Sequence, residues 1–142
     1  MENIIVYAVL LFWCFGSMGF GIIEGNLFHK RPHISQIFKA KFRVDIHVLF
    51  TLIRVLVAAP LLYGIWKGVD IIEATYALGF MVFVFPFLHD GAYYHTRRDL
   101  SNGKTYPRGW WDRSTTTSAI FSFNWYVRTV LFVIAIIFFL PY

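Results

Sequence analysis

The 142-residue sequence has one cysteine, Cys14, and that scarcity removes several chemistries at once. An intrachain disulfide, a Cys-x-x-Cys redox pair and a thiolate zinc site all need more than one thiol. Charge is scarce too. Only 15% of residues are Asp, Glu, Lys or Arg, against roughly 25% in ordinary soluble domains. The sequence also lacks a Gly-rich phosphate loop, a dinucleotide fingerprint, a potassium-filter sequence and the Gly-x-Ser-x-Gly turn of hydrolases. His-Glu-x-x-His, Glu-x-x-His and the repeated histidine boxes of membrane desaturases are missing as well. The hydroxyl run at 114–118 (STTTS) then reads as helix capping and packing rather than as a source of a nucleophile.

Apolar residues are abundant, at 58% of the chain. Once the apolar segments are set aside, only two polar connections exceed about a dozen residues, and neither can build a core of its own. Residues 1–142 are therefore expected to form a single membrane domain: an all-α, antiparallel bundle of four transmembrane helices. Residues 3–23 run without a charge for about the 20 residues that a ~30 Å hydrocarbon core demands. A cleaved signal peptide would begin with basic residues and end at small ones, whereas this segment begins after Glu2 and is followed by Glu24-Gly25-Asn26. The other expected spans are 46–66, 71–89 and 119–140. The link Lys67-Gly68-Val69-Asp70 makes the second and third antiparallel neighbours.

The net charge of +5 would suggest nucleic acid in a soluble protein, but its sources adjoin apolar segments. Loop 25–45 holds Lys30, Arg31, Lys39, Lys41 and Arg43, and loop 90–118 holds Arg97, Arg98, Lys104, Arg108 and Arg113. Membrane lipids with anionic headgroups are the partners these imply, with Lys39, Lys41, Arg97 and Arg98 as the headgroup-binding candidates, and nucleic acid is not expected. Both loops lie on one side of a four-span chain. The positive-inside rule makes that side cytoplasmic and puts both termini outside, with a bacterial inner membrane the simplest location. Within the first loop, Ile34, Ile37, Phe38 and Phe42 share a helical face, predicting a short interfacial helix after Pro32. In the second, Ser101-Asn102-Gly103 reads as a turn and Trp110-Trp111 as an interfacial anchor. Asp112 and Ser114 are candidate caps for the fourth helix.

Each span carries a polar stripe. The first aligns Cys14, Ser17, Gly21 and Glu24, and Ser17, Gly21 and Gly25 form a small-residue groove for close helix approach, a plausible contact between protomers. The second aligns His47, Thr51 and Arg54. The third leads to His89 or Asp90, and the fourth aligns Thr117, Phe121, Asn124 and Arg128. Arg54 and Arg128 lie roughly 10–12 Å deeper than the helix-end groups. They are expected to pair with Glu24 and Asp90, with Asp45 and Asp112 as further candidates. His89 and Tyr93 share a face if the helix continues past Gly91.

The candidate ligand or ion cluster is therefore Glu24, His47, Arg54, His89, Asp90, Tyr93 and Arg128. A divalent metal would draw on His89, Asp90, His95 and Glu24, residue types that suit it at spacings that match no metal motif. Haem between His47 and His89 would need the two at matching depth, and it is disfavoured because such histidines more often cap helices or face headgroups. Three functions fit. The first is a small transport or channel-type protein, or a subunit of a membrane complex, with an ion-binding cluster at the cytoplasmic helix ends. Four spans leave no wide private pore, so this reading implies a homo-oligomer or a larger assembly. The second is a membrane-embedded enzyme acting on a lipid-like substrate through a His/Asp/Glu metal site or an Arg-rich phosphate site. The third is a purely structural subunit whose ion pairs fix helix register.

Overall fold

The apolar runs fold as helices in a computed structural model that describes residues 2–43, 46–112 and 124–140. The order is α1 (Glu2–Lys30), α2 (Ile34–Phe42), α3 (Ile46–Gly68), α4 (Ile71–Leu100), a 3-10 turn (Gly109–Trp111) and α5 (Trp125–Phe139), with no strand among the described residues. Three of these helices are long and apolar enough to cross a membrane: Val6–Lys30 within α1, Ile46–Gly68 and Ile71–Leu100.

Two helices outrun their expected spans. α1 continues from 23 to Lys30 and α4 from 89 to Leu100, giving 29 and 30 residues, or about 45 Å each at 1.5 Å per residue. The polar segments 24–30 and 90–100 contain no proline, and glycine in a helix costs only about 1 kcal/mol. Gly25 and Gly91 recover that cost through close packing, since a Cβ at Gly25 would meet Thr96 and one at Gly91 would strike the Trp110 ring. What was expected to be loop at 25–45 and 90–118 thus begins as helix. Past Leu100 the turn is as anticipated: Gly103 N–H returns to the Arg98 carbonyl at 2.9 Å, with Asn102 and Gly103 both at positive φ.

α5 is shorter than its expected span. Its 15 residues rise about 22 Å, and Asn124 caps it by accepting the Val127 N–H at 3.0 Å. Asp112 stands directly before residues 113–123, which lie outside the described residues. It closes the 3-10 turn, and its carboxylate accepts the Arg108 N–H at 3.1 Å. Ser114, Thr117, Phe121, Asp45 and the start of the expected fourth span lie outside the described residues.

α1 and α4 run parallel and pack closely along the small-residue stripe. A Cβ on Gly21 would collide with the His89 carbonyl, and one on Gly25 would lie 3.0 Å from the Tyr93 carbonyl. That stripe is therefore occupied within the chain by α4 and is not the surface between protomers that its sequence suggested. α5 lies antiparallel to α4, with Phe138 over Gly79, Phe139 near Phe80 and Phe132 stacked on Phe87. α3 leads into α4 through the short turn at 69–70 and sits loosely, burying only Ile46 and Ile65. Val6, Leu10, Trp13, Met81 and Val84 build the main core, where Trp13 Nε1 donates to the Met81 carbonyl at 2.9 Å. A smaller aromatic core of Phe28, Tyr93 and Tyr94 forms at the basic-loop end. The expected helix after Pro32 is present, but its apolar face is split. Ile34 and Phe38 pack on that aromatic core, while Ile37 (64% exposed) and Phe42 (53%) point outward beside Lys39 and Lys41.

The turn between α3 and α4 yields a first test. Asp70 accepts the N–H groups of Ile72 and Glu73, both at 2.8 Å, satisfying donors that a helix start leaves orphaned. Asp70→Ala is expected to lower stability by about 1 kcal/mol in detergent unfolding, with Asp70→Ser retaining most of it. An unchanged alanine variant would mean that the cap is not holding the hairpin.

Candidate functional site: a buried Glu-Arg-His-Asp cluster

Side chains on an α-helix lean toward its N-terminus. α3 is antiparallel to α1 and α4, so Arg54 leans toward the basic-loop end while Glu24 and His89 lean away from it, and the three meet. Arg54 Nη2 donates to Glu24 Oε1 and lies 2.9 Å from His89 Nε2. His89 Nε2 is also 3.2 Å from Glu24 Oε1, and its Nδ1 is 2.9 Å from Asp90 Oδ1. Glu24 and His89 are 3% and 6% exposed. Phe85, one turn before His89, orients both planar groups: the imidazole stacks on it at 4.8 Å and the Arg54 guanidinium lies 5.0 Å over it.

This geometry admits two hydrogen-bonded arrangements. With a neutral imidazole, Nδ1–H donates to Asp90 and Nε2 accepts from Arg54. With one more proton, Nε2–H donates to Glu24 instead, and Arg54 keeps its carboxylate partner but gives up the ring. One proton thus changes which group serves Nε2, without breaking the contact with Asp90.

Of the expected cluster, the structure brings together Glu24, Arg54, His89 and Asp90. Arg128 is elsewhere. It is 1% exposed, and its described hydrogen bonds go to main-chain carbonyls. Its Nη2 donates to the carbonyls of Trp110 (3.0 Å) and Asp112 (2.6 Å), and its guanidinium lies 5.2 Å over Tyr94. The 3-10 turn presents those carbonyls where α5 enters, and the Asp90 carboxylate has His89 as its partner. Hydropathy and spacing do not reveal a backbone partner of this kind.

Tyr93 shares the His89 face, as the continuous helix requires, but its hydroxyl accepts from Arg97 Nη1 at 3.1 Å and its ring packs with Phe28. It belongs to the aromatic core one turn beyond the ion cluster. His47 stacks on Phe28 at 5.0 Å. It precedes Arg54 by seven residues, about 10 Å along α3, so it is not level with His89 and the matched-depth pair that haem would need is not formed. His95 faces Asp99 at 3.4 Å on an exposed part of α4, while the Glu24 carboxylate is engaged by Arg54. The expected metal set of His89, Asp90, His95 and Glu24 is accordingly not assembled, and no group of three or more His, Cys, Asp or Glu among the described residues is placed to hold a metal ion.

Among the headgroup candidates, Lys39, Lys41 and Arg98 are exposed, whereas Arg97 lies over the rings of Tyr93 and Tyr106. Phe85 and Trp110 are the participants that the sequence reading missed. The i, i+4 relation of Phe85 to His89 was the one available signal. No protein-family model, curated protein or solved structure matches this chain.

Proposed function

We propose that the chain is a four-span protein of a bacterial inner membrane, with both termini outside, and that its Glu24-Arg54-His89-Asp90 cluster takes up and releases a single proton near the cytoplasmic face. This is a transport-type role exercised within a homo-oligomer or a larger membrane complex. The observation that carries it is His89, held between two carboxylates and an arginine from three different helices. An ionisable residue inside an apolar span is expensive unless it is partnered, and such residues commonly mark ion and proton routes. The polar groups that contact the His89 ring are Glu24 on α1, Arg54 on α3 and Asp90 on α4.

Topology supports the placement. Arg54 lies 13 residues from Lys67, about 20 Å up α3, and its side chain extends further toward the basic loops, which is the snorkelling expected near one face of a ~30 Å core. The other half of the bundle is filled by the Val6, Leu10, Trp13 and Met81 core, so the described residues of one chain offer no continuous polar path across. Conduction would require a partner.

The test is nitrogen-15 NMR of histidine-labelled protein in bilayers across a pH titration, with His89→Gln as control and proton flux into liposomes alongside. One His89 ring should change protonation while its Nδ1 keeps the Asp90 hydrogen bond, and flux, where present, should vanish in His89→Gln. A His89 signal that stays in one form over the range in which the fold is intact would refute the reading. The lipid-enzyme alternative draws on the oriented His89-Asp90 pair, which has the geometry of a general base and its orienting carboxylate.

A further inference from the structure

α3 packs loosely on α1 and α4, and beside the ion cluster a groove of about 280 Å³ lies between them. Trp13 and Met81 line it on the α1 and α4 side, Ala58 and Leu62 on α3, and Arg54 stands near its basic-loop end. Val55 and Val82 on its walls are more than half exposed, so it opens sideways. Water does not suit it. An ordered water needs two to four polar partners, and apart from Trp13, whose Nε1 donates to the Met81 carbonyl, the polar side chains of the lining are Thr51 and Arg54 at its basic-loop end. An apolar void of this size facing hydrocarbon is filled by hydrocarbon.

The length of the groove indicates what fills it. From Thr51 to Leu62 along α3 is eleven residues, about 16 Å at 1.5 Å per residue, close to the half of a ~30 Å core that one acyl chain occupies, and it begins about 7 Å below the N-terminal end of α3. At the N-terminal end of α3 lies α2, which packs on α3 and exposes Lys39, Lys41 and, as its C-cap, Arg43. In the topology proposed above these cations stand at the cytoplasmic headgroup level, where basic side chains attract anionic lipid.

We infer that the groove between α3 and α4 holds one acyl chain of an anionic phospholipid of the cytoplasmic leaflet, with its phosphate at the Lys39 and Lys41 end. The inference rests on the membrane placement and orientation of the proposed function, but not on its proton chemistry. The apolar wall and the basic helix perform separate tasks: the wall selects a chain, and α2 selects the charge of the head.

Native mass spectrometry after release from nanodiscs of mixed phosphatidylglycerol and phosphatidylcholine tests both. The chain should retain one phospholipid, enriched at least about fivefold in phosphatidylglycerol, the share of one surface lysine. Ala58→Trp, or Val82→Trp where the first variant does not fold, should fill the groove and abolish retention with helicity unchanged. A Lys39→Gln, Lys41→Gln variant should keep the lipid and lose its preference. Equal retention in both tryptophan variants would show annular lipid only and overturn the chain site, as would a wild-type chain that emerges lipid-free. Equal retention of the two lipids by the wild-type chain would overturn the headgroup assignment. Cysteine labelling at position 39 from the outer side would overturn the orientation while leaving the chain site standing, and a proton-silent His89 with lipid retained would do the same to the proton reading.

Discussion

Glu24→Leu is expected to destabilise the folded chain by about 3–5 kcal/mol, because it leaves Arg54 beside His89 without the carboxylate that offsets its desolvation. Arg54→Leu should cost less than Glu24→Leu. It strands Glu24, but His89 can still donate to that carboxylate through Nε2, 3.2 Å away. The double variant Glu24→Leu, Arg54→Leu should recover most of the loss, since replacing a whole buried pair by apolar residues of similar volume is commonly near neutral. Reversible unfolding of the two single variants and the double in mixed micelles would measure this as a coupling energy. Additive losses would mean that the two side chains do not act as a pair. The same double variant separates function from architecture: if stable, it should retain the fold while the protonation change at His89 loses the partner that accepts from Nε2.

What the sequence disclosed follows the physics of each signal. A charge-free run and a two-residue hairpin are local features, and they located α1, α3 and α4 and the antiparallel relation of the last two. The amphipathic pattern after Pro32 located α2. Helix ends at 30 and 100 are not legible from hydropathy, because polarity alone does not stop a helix that lacks a proline or an unpacked glycine. Within the site, Arg54 and Glu24 were legible as a pair: each is the charged group on its helix that most needs the other, and few carboxylates were available. Arg128 had the same need, and its Nη2 meets main-chain carbonyls of a turn 16 and 18 residues away, a partnership that leaves no mark in side-chain identity. The metal set failed for a related reason. His89 and His95 are six positions apart, which puts them on different helix faces, and one long helix through Gly91 forbids the loop that would have reunited them.

Gly21→Ala should be the most disruptive single-carbon change in the chain. Its added Cβ would collide with the His89 carbonyl and lie 3.0 Å from the Tyr93 N–H nitrogen. Both are backbone atoms of α4 that cannot rotate aside, so α1 and α4 must separate. Overpacking of this kind costs about 1–3 kcal/mol, and here it would fall on the contact that carries Glu24 to His89. Gly16→Ala, on the same helix with nothing within 4 Å of the new carbon, should be neutral or stabilising by up to about 1 kcal/mol. The comparison by unfolding in detergent cancels the intrinsic preference of alanine for helix and leaves the steric term. A second readout is more specific. If the α1-α4 contact sets the cluster, Gly21→Ala should alter the His89 nitrogen signals and Gly16→Ala should not. Equal effects of the two substitutions would show that α1 and α4 do not approach as closely as Gly21 permits, and the Glu24-His89 contact would fall with that approach.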